Sequence, residues 1–183
     1  MPKRAAQRRG AYLSPVPSPI ILTLQLDRAT QERFQAERTR WFVPKLDRVP
    51  AHLTLFHTLP GEALDAVLRH VGEACAGRAP FAVSVAEVLP LGAGTAYRLR
   101  SEALDGLRAD LARRFDPWLT GQDRQGFRAH VTVQNKVSKD TAAACRAVIE
   151  AEFAPFAARA EGVQLWSYEG GPWGTLGAVA LGG

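Results

Sequence analysis

The stretches that decide the reading are Val49-Pro-Ala-His52-Leu53-Thr54-Leu55-Phe56-His57-Thr-Leu-Pro-Gly61 and Phe127-Arg128-Ala129-His130-Val131-Thr132-Val133-Gln134-Asn135-Lys136-Val137. Each holds a His-x-Thr-hydrophobic unit inside an apolar alternation. The chain has four histidines. Threonine fills about one position in twenty, so two such units among four histidines arise by chance in roughly 1–2% of comparable chains. A single copy is a weak signal; the matched pair is a specific one.

On a strand, residues i and i+2 share a face. His52 and Thr54 therefore project together, with Leu53 and Leu55 directed to the core. His130 and Thr132 do the same against Val131 and Val133. An imidazole beside a hydroxyl suits a tetrahedral phosphate: the hydroxyl donates to a non-bridging oxygen while the imidazole reaches the attacking or leaving oxygen. Two copies on facing strands put one imidazole on each side of phosphorus, as in-line displacement requires. An imidazole near pKa 6.5 serves as acid or base at neutral pH without a metal. Zinc is disfavoured because the motifs offer no third ligand at fixed spacing and no HExxH helix. No cofactor is expected.

Strict alternation extends each face outward. It predicts Phe56 on the His52–Thr54 side, placed to stack on a base or to pack in the core. It sends His57 to the opposite side, as a structural or surface residue with His70. It brings Gln134 and Lys136 onto the side of His130 and Thr132. Arg128 precedes the second motif on the same face and is a phosphate-contact candidate. Tyr97 and Arg98 are consecutive on a hairpin strand, so one of them faces the cleft, and Tyr97 is the substrate-side candidate. Trp166, Tyr168 and Trp173 are expected mainly to pack the sheet.

Outward from the motifs, strands are predicted over 20–27, from His52, over 81–89, 95–100, 130–137, 157–168 and 175–181. Helices are predicted over 28–42, 62–76, 102–115 and from the Ser138 cap to Phe153. The order β α β α β β α β α β β contains two similar halves, each with one motif. The 183 residues, 46% hydrophobic and 22% charged, suffice for one domain with a core of its own.

The net charge is +5, but Lys3, Arg4, Arg8 and Arg9 stand in residues 1–19, which hold no acid; 5 − 4 leaves +1 for residues 20–183. The excess charge thus belongs to a basic, Pro-rich tail that reads as disordered, and the body is nearly neutral. A neutral body argues against broad nucleic-acid affinity. Cys75 and Cys145 lack metal or CxxC spacing and read as two buried thiols in a reducing compartment. No apolar run spans a bilayer, so a cytoplasmic monomer that does not engage membrane is expected.

On these motifs and their separation by 78 positions, the chain resembles the 2H phosphoesterase superfamily, most closely its bacterial 2′-5′ RNA ligase-like branch. The resemblance implies an α+β fold of two pseudo-symmetric lobes, each a small, mostly antiparallel sheet with helices outside, and an active-site cleft between them over residues 20–183. It implies His52 and His130 as acid and base, and Thr54 and Thr132 as phosphate holders. The substrates implied are cyclic nucleotides, or RNA with 2′,3′-cyclic phosphate ends or 2′,5′ linkages. The branch often has an arginine shortly after the second motif; Gln134-Asn135-Lys136 stands there, and Lys136 is the candidate replacement as a point charge. Hydrolysis of 2′,3′-cyclic phosphates is the leading expectation. Ligation or cleavage of 2′,5′ linkages, and non-catalytic binding of RNA ends, remain alternatives.

Overall fold

A computed structural model describes residues 17–182; most of the basic tail expected over 1–19 lies outside the described residues. The strands are β1 (Ile20–Leu26), β2 (Leu53–Leu59), β3 (Phe81–Pro90), β4 (Thr95–Arg100), β5 (His130–Gln134), β6 (Phe156–Tyr168) and β7 (Trp173–Ala180). The helices are α1 (Arg28–Trp41), α2 (Leu64–Cys75), α3 (Glu102–Arg114) and α4 (Lys139–Glu152). Three starts are capped by side chains: Asp27, Ser101 and Ser138 accept from the backbone N–H three residues on. Such caps are worth roughly 0.5–2 kcal/mol each.

All strands pair antiparallel in one curled sheet, ordered β2-β1-β6-β3-β4-β5, with β7 also on β6. The long β6 joins the two lobes. Its first half, Phe156 to Ala160, pairs with β3, and its second half pairs with β1 on one edge and β7 on the other. The expected bilobal α+β architecture is therefore present, with β6 common to both lobes.

Each lobe is backed by the helix that follows a strand of the other. Phe34 of α1 lies 5.4 Å from Tyr97 of β4 and 6.2 Å from Phe156 of β6, in the second lobe. Phe115, ending α3, packs edge-on against Phe56 of β2 at 5.1 Å, in the first. Both free cysteines are buried under their helices. The apolar residues of the two lobes form one continuous core. With the helices all drawing apolar residues to one side, the other side of the sheet is left polar, and it carries the motifs.

Candidate active site

The two motif strands deviate from regular alternation at the same place. Thr23 pairs with Thr54 but Leu22 pairs with Phe56, so Leu55 is an extra residue. Ala96 pairs with Thr132 but Thr95 pairs with Gln134, so Val133 is its counterpart. A bulge of this kind rotates every following side chain to the other face. The motif face thus lasts only through the threonine, and four of the alternation-based placements change.

Phe56 is wholly buried against Phe115 and is a core residue, not a base-stacking one. Gln134 turns inward and is 3% exposed. The strand ends there, and Lys136 sits in a left-handed turn (φ 59°) with its side chain exposed beyond the motif face. His57 moves the opposite way, from the expected core side to the cleft. Tyr97 is corrected by pairing rather than by a bulge: it lies opposite Val131, on the core side, between Phe34 and Phe153. Arg98 is the cleft-side member of that pair, directly across from His130. Burial pushes the Tyr97 phenol up.

The motif side chains stand as follows. His52 Nδ1 is 2.7 Å from the Pro50 carbonyl, and His130 Nδ1 is 2.7 Å from the Arg128 carbonyl. A carbonyl only accepts, so Nδ1 is the protonated nitrogen in both rings and Nε2 is the one presented for chemistry. The same i−2 contact in both halves makes the pseudo-symmetry atomic. Thr54 and His130 line one cavity of about 580 Å³ with His57, Asp123 and Arg128. Thr132 is half-buried on the face of His130.

His52 is packed against Trp173, with ring centroids 4.5 Å apart, and opens on a different recess, of about 440 Å³, walled by Trp166 and Gln164. Its pKa is lowered to about 4 by burial first, then by the nearby charges of Arg38, His130 and His57, against the pull of the Pro50 carbonyl.

Two buried arginines hold this arrangement from behind. Arg38 of α1 donates from Nη1 to the Thr132 carbonyl (3.0 Å) and from Nε to Asp47 (2.6 Å), in the loop leading to His52. Arg108 of α3 donates from Nε to the Leu55 carbonyl (2.7 Å) and from Nη2 to the Asp123 carbonyl (2.7 Å), in the loop leading to His130. Each guanidinium thus binds one motif strand and the approach to the other motif. Phe42 and Phe56 cover their faces, each ring 3.8 Å from the guanidinium carbon. Sequence reasoning missed both. The legible signal was an arginine at i+4 in a buried stripe: Phe34 then Arg38, Leu104 then Arg108.

A family profile described as the 2′-5′ RNA ligase superfamily matches residues 26–172. The chain belongs to the 2′-5′ RNA ligase superfamily. Within this superfamily the matched residues take in both motifs and both buried arginines. No curated protein matches in sequence. Among solved structures, Escherichia coli LigT complexed with 3′-AMP is similar at a TM-score of 0.63 and 17% identity, over 90% of this chain and 98% of that one. The Thermus thermophilus protein TT0787 is similar at 0.61 and 16%, over 90% and 98%. Usb1 of Kluyveromyces marxianus is similar at 0.50 and 12%, over 92% and 100%. At such identities the likeness is one of fold. Membership of this superfamily marks an enzyme of the phosphoesterase type.

Proposed function

We propose that the protein is a metal-independent phosphodiesterase that opens 2′,3′-cyclic phosphates of nucleotides or RNA ends to phosphomonoesters. The observation that carries this reading is the twinned presentation of Nε2 by His52 and His130, each fixed through Nδ1 to the carbonyl two residues before it. His52, whose low pKa keeps it neutral at physiological pH, accepts a proton at Nε2 from the attacking water. The water oxygen bonds to phosphorus, the bond to one ribose oxygen breaks, and His130, entering the step as the imidazolium, delivers its Nε2 proton to that oxygen and ends neutral while His52 ends protonated. The hydroxyls of Thr54 and Thr132 donate to the non-bridging oxygens, whose charge grows in the transition state.

The test is turnover of the four nucleoside 2′,3′-cyclic monophosphates in the presence of a chelator. Activity is expected to survive chelation and to fall about 10²–10⁴-fold in His52→Ala and in His130→Ala, the usual contribution of a positioned acid or base. Wild-type rates in either variant remove that histidine from the mechanism, and loss of activity on chelation alone replaces the mechanism with a metal-dependent one.

A further inference from the structure

Besides the cavity that holds Thr54 and His130, a second one of about 740 Å³ lies between α3 and the loop that runs from α3 to β5. We propose that this outer cavity binds a small aromatic monocarboxylate, and that its occupancy opposes anion binding beside Thr54 and His130 because one guanidinium, that of Arg108, serves both cavities. The outer site stands independently of the phosphodiesterase reading; its effect on turnover rests on that reading.

The size is that of a small-molecule site, and its apolar part suits a flat ring. Ala109 and Ala112, one turn apart on α3, leave room for one, and Leu119 and Phe127 of the loop line the same space. The polar part favours one negative charge. Arg108 is 7% exposed, and the little surface it keeps is toward the cavities it lines. Its Nε and Nη2 are spent on the Leu55 and Asp123 carbonyls, while Nη1 has no partner among the described residues. Arg113 also lines the outer cavity, and the acid it reaches, Asp110 at 3.2 Å, is shared with Arg78 and Arg114. The acids of the cavity are mostly engaged elsewhere. Asp116 accepts from Arg124 at 2.7 Å. Asp123, 4% exposed, accepts from the His57 ring at 2.9 Å and from the His57 and Thr58 backbone N–H groups at 3.0 and 3.2 Å. Asp105 alone has no ion pair among the described residues, and it stands eight residues from Arg113, about 12 Å along the helix. A carboxylate therefore finds Arg108 and Arg113, and Asp105 beyond them disfavours a second negative charge.

The coupling follows from residues held in common. Arg108, Asp123, Gln125 and Phe127 line both cavities, so the two back onto one another across the side chains of this loop and helix. Arg108 offers its charge to both. A carboxylate on the outer side cancels part of the charge that a phosphate meets on the inner side. Like charges flanking one guanidinium oppose each other by roughly three- to tenfold in affinity. By linkage the factor is the same whichever anion binds first.

The experiment is calorimetric titration of the full chain with 2-naphthoate and with naphthalene-2-carboxamide, the same ring without the charge. The acid is expected to bind with a Kd between about 10 µM and 1 mM, the range open to a ligand of that size. The amide should bind about tenfold more weakly, the scale of one charge-assisted hydrogen bond. Arg113→Ala should bring the acid close to the amide, and Ala109→Trp, which fills the cavity from the exposed side of α3, should abolish binding of both. Equal affinities for acid and amide, no saturation by roughly 10 mM, or binding undiminished in both variants overturns the site. The coupling is read by repeating the 2-naphthoate titration in inorganic phosphate at constant ionic strength. Its Kd should rise about three- to tenfold and then level off. A Kd that climbs in proportion to phosphate means that both anions compete for one cavity and overturns the second site; a Kd unmoved by phosphate that binds overturns the coupling. Saturating 2-naphthoate should lower kcat/KM for a nucleoside 2′,3′-cyclic monophosphate by the same factor, mainly through KM. Absence of both turnover and phosphate binding removes the phosphodiesterase reading and the coupling with it, while the outer site still stands or falls on the acid and amide titrations.

Discussion

At the scale of single residues, the two motif histidines share a local geometry but not an environment. Trp173 lies against His52, and no such ring pair involves His130 among the described residues. With its pKa lowered to about 4, His52 is neutral through the mildly acidic range where a free imidazole is charged. The sign follows directly. A base must be unprotonated, so the acidic limb of kcat/KM for cyclic-nucleotide hydrolysis is expected near pH 4 instead of near pH 6.5. Trp173→Ala rehydrates the ring and should move that limb upward, visible in a pH–rate profile. Folding stability carries the same sign. A depressed histidine pKa favours the unfolded state as pH falls from about 6.5 toward 4; the penalty is absent above that window and complete below it. A limb unmoved in Trp173→Ala would show that this contact does not set the base.

At the scale of elements, the decisive feature is one extra residue after each motif threonine. That His52 shares a face with Thr54, and His130 with Thr132, was legible because the alternation up to the threonine is regular. Phe56, His57 and Gln134 were misplaced because the bulges at Leu55 and Val133 reverse the phase, and Lys136 because the strand stops before it; no glycine or proline marks either bulge in the sequence. Tyr97 was a choice between two neighbours that strand pattern alone leaves open, since Arg98 and Tyr97 are both compatible with an interior strand. The helices were read well because their caps and apolar stripes are local properties. Asp123 had no signal at all, being a loop acid whose partner lies 66 positions away.

Phe56→Ala should cost about 3–5 kcal/mol in chemical denaturation, as for a fully buried aromatic, with the loss appearing in stability before KM. Arg108→Met keeps the bulk but strips donors from the Leu55 and Asp123 carbonyls, and should destabilise by about 1–3 kcal/mol per acceptor left buried and unpaired. Arg108→Lys should not restore the wild type, because an ammonium lacks the fork that reaches both carbonyls. Denaturation curves for Arg108→Lys that overlay the wild type would reduce Arg108 to a simple charge.

At the scale of the molecule, the lobes are not independent. They share β6, exchange supporting helices, and enclose one apolar core. Unfolding is therefore expected as a single transition, with tryptophan fluorescence and far-ultraviolet circular dichroism superimposing across a urea titration. Separated midpoints would mean that the lobes fold as two units. The overall architecture was readable from element order together with the resemblance. What the order could not convey was that α1 backs the far lobe and α3 the near one, since that depends on which long-range apolar pairs win.

The sheet order places β2 and β5 at its two extremes, so each motif lies on a strand with one unpaired edge. An unpaired edge is ordinarily where another chain adds itself and precipitation starts. Curling turns these two edges toward one another across the mouth of the cleft, where the pair of arginine ties holds them. A lesion that springs the mouth apart is therefore expected to bare both strand edges at once and to cost solubility, measured as light scattering on concentration.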